Sequence, residues 1–328
     1  MRWHGYSGAV RRYREFSAGP DDGERRFDRL VRRLLPAISL PEIYKAIRTG
    51  AVRMGGRKAS PSTRVSIADT IEIAEELLGA ESVFSRPAPD SRGLANPDPG
   101  LFLLETENLL FAAKPRGMLT HGAGGLDGLV RERYRDSIAA SLSFVPGPLH
   151  RLDRNTSGVV ACSRTIEGAR VFSAMLREGR LGKRYLALLR GALEEPGEWI
   201  DLLGRDRENR LSSVVSAEKA VRGRPAETRF IPLVAAKDAT LALVTIGTGQ
   251  THQIRAQAAW HGHPLVGDAK YGGGASSAGY LLHAWRLEFP EPPFRDVPAR
   301  VEAPLPIEAS PLLDGFFGGA WRDALVAE

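Results

Sequence analysis

The sequence holds a single cysteine, Cys162, among 328 residues. No internal disulfide framework can form, and this thiol usage predicts a reducing compartment, the cytoplasm. Cys162 lies within an apolar run, the usual setting of an inert core thiol. No apolar stretch is long enough to span a bilayer. Met1–Tyr6 lacks the apolar segment of a secretory leader, so neither membrane insertion nor export is expected. Nucleotide-binding signatures are missing as well. The stretch Gly122–Gly128 is not followed by Gly-Lys-Ser/Thr, and Gly247-Thr248-Gly249 lacks the third glycine of a dinucleotide fingerprint. His252, His261 and His263 are near one another, but no carboxylate or cysteine completes a ligand set, so no metal is expected. No serine stands in a nucleophile elbow.

What is present is a concentrated positive charge. The chain carries a formal net charge of +6. Between Arg25 and Arg64 there are eleven lysines and arginines against only Asp28 and Glu42, so this segment exceeds the whole-chain surplus and the remainder is net acidic. Confined to one short segment, such charge is either a solvated basic face or the footprint of a polyanion-binding module.

The pattern within that segment predicts a small unit. Phe27, Leu30, Val31 and Leu34 form one apolar helical stripe, ended by Pro36. Ser39 and Glu42 form a capping box for a second helix with Ile43, Ala46 and Ile47 inward, closed by Gly50. Short strands are expected next, at Ala51–Met54 and up to Ile73. A further short strand is expected near Arg12–Phe16. Residues 1–24 read as an N-terminal extension, 25–79 as the small domain, and the Pro-rich, polar 80–100 as a linker. Residues 101–310 form the main domain, with 311–328 as a C-terminal tail. In the main domain, Leu101–Leu104, Leu109–Ala113, Lys183–Leu189, Phe230–Val234, Leu241–Ile246 and His283–Phe289 read as strands. Helices are expected from Ile166 to Gly179 and from Thr251 to Gly262, and 196–226 as an irregular charged stretch. Strands outnumber helices and do not alternate regularly with them. The fold class is therefore α+β, with a mixed, largely antiparallel sheet and flanking helices.

One stretch stands out for chemistry: His150-Arg151-Leu152-Asp153-Arg154, then the turn formers Asn155–Gly158, then an apolar run. A carboxylate beside cations stays ionised and is available as nucleophile or base. An aspartate that merely stabilises a turn is the competing reading. Tyr185, on a predicted core strand, is either packing or a platform for a nucleobase. His252 and Arg255 share a helix face at i, i+3, and Arg255 is placed to pair with Asp153 or to form an ordinary surface ion pair.

Taken together, these motifs resemble the RluA-type pseudouridine synthases. The resemblance rests on His150–Gly158, Lys183-Arg184-Tyr185, Thr248–Arg255, Gly262–Asp268 with Tyr271-Gly272, Leu282-His283-Ala284 and the opening Lys114–Gly117. The small unit resembles the ribosomal-protein-S4-type RNA-binding domain through Arg26–Leu30, Ile47–Val52, Pro61–Val65 and Asp69–Ile71. It departs from that pattern with Gly55-Gly56 in place of Asn-Gly and with Ala68 where glycine is usual. Gln250 replaces an arginine usual in the larger family.

The resemblance implies an isomerase that converts uridine in RNA to pseudouridine without cofactor or metal. Asp153 would be the catalytic carboxylate, Arg255 its ion-pair partner and Tyr185 the stacking ring. Arg151 would wedge into the gap left by a flipped base. Leu152, Thr156, His150, His252, Gln253 and Lys183 would line the substrate site. Arg29, Arg32, Arg33, Lys45, Arg48, Arg53 and Lys58 would contact RNA through the small domain. Large-subunit (23S) ribosomal RNA is the expected target and partner, with transfer RNA as the alternative and a monomer as the expected state. Two other classes stay open: an RNA-binding ribosome-assembly factor without essential catalysis and, much less supported, an aspartic protease.

Overall fold

A computed structural model describes residues 11–78, 100–135, 141–142, 144–206, 211–215, 223–276 and 279–327. The stretch read as a linker lies almost wholly outside the described residues. The chain divides into two compact units, Met1–Gly93 with Gly128–Pro146, and Leu94–Asp127 with Gly147–Glu328.

The first unit contains β1 (Tyr13–Ser17), α1 (Phe27–Leu34), α2 (Leu40–Thr49), β2 (Val52–Met54) and β3 (Thr70–Ala74), and its sheet runs β1-β3-β2. The expected stripes are the buried faces: Phe27, Leu30, Val31 and Leu34 pack with Ile43, Ala46 and Ile47 over Ile71 and Ile73. Glu42 Oε2 accepts the Ser39 N–H at 3.1 Å, one half of the expected capping box. Gly50 closes α2 at φ 77°. Tyr13–Ser17 pairs in full register with Thr70–Ala74, so the strand before residue 25 is part of this sheet. Ala68 sits at φ 69°: the turn keeps the left-handed shape that glycine usually supplies, at the steric cost of one Cβ. Leu142 joins the same core from far along the chain, and its N–H donates to the buried Asp22 carboxylate at 2.9 Å.

The second unit is built on one mixed sheet. Its strands are β4 (Phe102–Glu105), β5 (Leu109–Lys114), β6 (Gly147–Pro148), β7 (Ser157–Ser163), β8 (Gly182–Arg190), β9 (Gly197–Asp206), β10 (Leu211–Val214), β11 (Arg224–Ala235), β12 (Ala239–Ile246), β13 (Leu282–Glu288) and β14 (Arg300–Glu302). The order is β10-β9-β11-β12-β8-β13-β7-β5-β4, with β14 on β13 and β6 on β7. Every pairing is antiparallel except β13 with β7. Helix α3 (Leu126–Arg133) starts at the end of this unit's first segment and lies mostly in the first unit; the second unit's own helices are α4 (Ile166–Arg177), α5 (Gln253–Trp260), α6 (Ala309–Phe317) and α7 (Ala320–Val326). The fold is α+β, as expected.

All seven residues of β7 are buried, as the continuous apolar run of a central strand requires. Phe172 and Met175 of α4 pack on Phe111, Val159 and Ala161 in one cluster. Leu313 of α6 and Trp321 of α7 join Leu186, Leu188, Leu241 and Leu243 in another. Thus α7 falls within the stretch read as a tail, and α6 runs into it from Ala309. The stretch read as irregular, 196–226, is a correction: it holds β9, β10 and the start of β11. Only Trp199 and Leu203 of β9 are fully buried, so its wet face supplied the charged residues that obscured the strand.

The parallel β7–β13 junction fixes where the site sits, because β7 emerges there from the Asp153 turn. Gly158 pairs with Ala284 at φ 119°, and a Cβ on it would lie 2.1 Å from the Ala284 carbonyl oxygen. Only glycine fits. Beside it, Ser157 Oγ lies 2.9 Å from His283 Nδ1, while His283 Nε2 lies 3.1 Å from the Ala303 carbonyl. A carbonyl only accepts, so Nε2 carries the proton and the Ser157 hydroxyl donates to Nδ1. His283 is 1% exposed, and burial pushes it from 6.5 to about 4. As pH falls through 6.5 the unfolded chain takes up a proton that the folded chain refuses until about pH 4, so stability drops across this window. The loss at its lower end approaches about 3 kcal/mol. Thermal melts of the wild type and His283→Gln between pH 7 and pH 4 check this, and the variant should show the shallower acid decline.

Candidate active site

The Asp153 turn is fixed by backbone contacts from the segment after β5. Thr120 Oγ1 donates to the Leu152 carbonyl at 3.0 Å and accepts the Leu152 N–H at 3.1 Å. Gly117 N–H donates to the Arg154 carbonyl at 2.8 Å, and Arg154 Nε returns a bond to the Gly117 carbonyl at 3.0 Å. Lys114 is buried, yet its ammonium meets three carbonyls, those of Met118 (2.9 Å), Pro115 (3.0 Å) and Arg154 (3.3 Å). Burial lowers Lys114 to about 8, and the Asp153 charge opposes that shift. The turn closes with Thr156 N–H on the Asp153 carbonyl at 3.1 Å. The Asp153 carboxylate is thereby presented on a rigid loop, 20% exposed.

Arg255 approaches it from α5. Its guanidinium is held by a bidentate pair with Asp268, at 2.7 and 2.8 Å, and lies between the rings of Tyr271 (4.7 Å) and Tyr280 (4.6 Å). Nη1 remains, 3.7 Å from Asp153 Oδ2. The expected pairing with Asp153 is therefore the longer of two, and the firm partner is Asp268. Against the pull of burial, the Asp268 hydrogen bonds and the neighbouring carboxylates raise the arginine further. Burial raises Tyr280 to about 12, and Arg255 opposes that shift.

His252 also reaches the carboxylate, with Nε2 3.7 Å from Oδ2. Tyr185, on β8, is buried. Its phenol is pushed above its ordinary range, first by burial and then by the Asp153 charge, which places the ring within that carboxylate's field. Asp153, Arg255, Tyr185 and His252, from three separate stretches, converge.

The other candidates are placed differently. Arg151 is exposed at the rim, while Leu152 and Thr156 are buried in the turn. His150 turns inward: its Nε2 accepts the Ala161 N–H at 3.0 Å and its ring stacks on Phe172. Burial first, then Lys183 and His121, lowers it to about 4, as an accepting ring nitrogen requires. Gln253 spends its amide internally. Nε2 donates to the Glu227 carbonyl and Thr228 Oγ1, and Oε1 accepts from Thr248 Oγ1 and the Gln250 N–H. Lys183 donates to the Thr248 carbonyl at 3.3 Å. Asp268, Tyr271, Tyr280 and Thr120 do not stand out in the sequence as site residues. The signal for the first two is their place in the motif stretch Gly262–Asp268 with Tyr271-Gly272, which assigned them no site role.

In the first unit, Arg29, Arg32, Arg33, Lys45, Arg48 and Lys58 are exposed. Arg53 is engaged, paired with Glu72 and lying 3.8 Å over the Tyr13 ring.

Residues 108–260 match the RNA pseudouridylate synthase family, and residues 25–71 match the S4 domain. The ribosomal large subunit pseudouridine synthase C of Salmonella typhi is 31% identical over 302 residues, which is 87% of this chain and 91% of that protein. The chain belongs to the RNA pseudouridylate synthase family. The D synthase of Xylella fastidiosa is likewise 31% identical, over 91% of this chain and 93% of its own. Two human structures of this family share the fold. RNA pseudouridylate synthase domain containing 4 matches with a TM-score of 0.53 at 18% identity, covering 68% of this chain and 92% of that one. Domain containing 1 matches with 0.51 at 24%, covering 66% and 89%. As an RNA pseudouridine synthase, the protein isomerises uridine in RNA, and its S4 domain makes RNA its partner. Among the described residues no helix is long and apolar enough to cross a membrane.

Proposed function

We propose that this pseudouridine synthase acts on large-subunit ribosomal RNA and uses Asp153 as its catalytic carboxylate. The carrying observation for the residue is convergence: one partly exposed carboxylate on a braced turn, with Arg255 and His252 each 3.7 Å from it at the start of α5, and Tyr185 of β8 buried within reach of its charge. The target is supported by the C and D synthases, which are named for that subunit and align along most of this chain. Residues 25–79, with β1 added, are the proposed RNA-binding domain and 101–310 the catalytic domain. A cytoplasmic monomer is the proposed working form.

The chemistry rests on the groups present. The N1–C1′ bond breaks, the base turns while held, C5 bonds to C1′, and the C5 proton is then lost while N1 takes up a proton. Asp153 either attacks the anomeric carbon or removes the proton next to it. In both cases it must be oriented, and Arg255 Nη1, 3.7 Å from Oδ2, is the cation facing it. Tyr185 enters as a neutral phenol, since burial and the Asp153 charge both oppose its ionisation. Its ring offers a stacking surface for the detached base. Arg151, exposed beside Asp153, is placed to fill the gap left by the flipped nucleotide. The exposed arginines and lysines of the first unit supply salt-sensitive phosphate contacts.

Pseudouridine mapping over ribosomal and transfer RNA, with and without the gene, tests the target. One or a few large-subunit positions should revert to uridine. Reversion confined to transfer RNA would overturn the assignment.

A further inference from the structure

His252 has a backbone that calls for an explanation. It lies at φ 54° and ψ 24°, left-handed, at the cap of α5. A residue with a β-carbon adopts that conformation uncommonly, and such strain gathers at functional sites. Here contacts from β10 brace it. Ser212 Oγ donates to the Thr251 carbonyl at 2.6 Å, and the Ser212 N–H donates to Tyr271 Oη at 3.0 Å. Tyr271 Oη lies 2.8 Å from His252 Nδ1. With the Ser212 N–H on one lone pair, the phenol can direct its own proton at Nδ1. The remaining ring proton then belongs on Nε2, the nitrogen that faces Asp153 Oδ2.

We propose that His252 is a positioning residue for Asp153, held as its Nε2–H tautomer by Tyr271, and that with Arg255 it fixes Oδ2 and leaves Oδ1 for the sugar. This rests on Asp153 being the catalytic carboxylate. Both donors address the same oxygen, each at 3.7 Å. That distance is beyond a hydrogen bond. A small rotation of the carboxylate on substrate binding brings both within reach, as apo catalytic contacts commonly tighten. With one oxygen clamped by two donors, the second keeps its lone pairs directed at the reacting carbon or proton.

The charged and titratable groups around His252 are Asp153 on the turn, Arg255 on its own helix, and Asp268, Lys270 and Tyr271 on the turn after it. Burial is the largest influence and lowers the imidazole. Arg255 and Lys270 act with it, and Asp153 and Asp268 act against it. The ring is therefore neutral at neutral pH, as the tautomer requires.

Amide substitutions separate the two nitrogens. His252→Gln keeps a donor near the Nε2 position, whereas His252→Asn reaches only the Nδ1 position. Single-turnover pseudouridine formation on saturating RNA should fall by about tenfold to a hundredfold in the asparagine variant, the range for an orienting partner. RNA affinity should hold, and glutamine should recover most of the rate. Tyr271→Phe keeps the ring on Arg255 but removes the bond that favours neutral imidazole, so the acid limb of its rate profile should move to higher pH. Equal losses in Asn and Gln, a loss confined to RNA affinity, or an unmoved acid limb in Tyr271→Phe would each overturn the proposal. Full activity in Asp153→Asn would instead remove the reading beneath it.

Discussion

Asp153→Asn abolishes pseudouridine formation and leaves RNA binding and the fold intact. The expected loss in the single-turnover rate is on the order of 10⁴-fold or more, the scale for removing a group that attacks or takes a proton. The substitution keeps volume and removes only charge and basicity. The lost charge acts on the nearby Lys114 and Arg255 cations but holds no hydrogen bond of the turn. Asp153 holds its turn through its main-chain carbonyl, its carboxylate oxygen lies 3.7 Å from both Arg255 and His252, and Arg255 keeps Asp268. Tritium release from RNA labelled at uracil C5, with a parallel binding measurement, reads both halves. Substantial turnover in the variant would remove Asp153 from the chemistry. An unfolded variant would contradict the claim that the carboxylate does not hold the turn together.

The sequence exposes what lies on continuous patterns. The stripes of α1 and α2, the turn before Gly158 and the buried run of β7 all come from local rules of period, cap and steric need. The Asp153 turn is recognisable because a charged cluster beside an apolar strand is unusual in itself. What spacing does not reveal is partner choice. Arg255 is matched from the sequence to the carboxylate that already stands out, whereas Asp268, thirteen residues on, sits in a turn whose glycines give it an ordinary explanation. The same limit applies to His150 and Gln253. Both stand inside motif stretches and both turn inward, His150 to Ala161 and Gln253 to Glu227 and Thr228. Side-chain direction at a turn depends on tertiary neighbours, which spacing does not encode. β9 is hidden for a related reason: a strand with one wet face and only two buried side chains has little hydrophobic signal to offer.

The Arg255–Asp268 pair gives the second large effect, and it separates stability from chemistry. Arg255→Met leaves Asp268, 1% exposed, as a buried carboxylate without its cation. Breaking a buried pair from one side costs about 3–5 kcal/mol, because the remaining charge keeps its desolvation penalty. Losing the contact of the cation with the Tyr271 and Tyr280 rings adds to the loss. Denaturant unfolding should therefore show a strongly lowered midpoint, with activity abolished. Adding Asp268→Leu removes the stranded charge and should restore most of the lost stability, since an apolar pair of similar volume is often neutral against a buried ion pair. Activity should stay absent in the double variant, because nothing then faces Asp153 Oδ2 with positive charge. Arg255→Lys falls between: a single ammonium cannot form the Asp268 fork while also directing a donor at Asp153, so stability recovers further than turnover. A double variant that regains turnover together with stability would show that Arg255 serves only to neutralise Asp268, and that Asp153 needs no cation beside it.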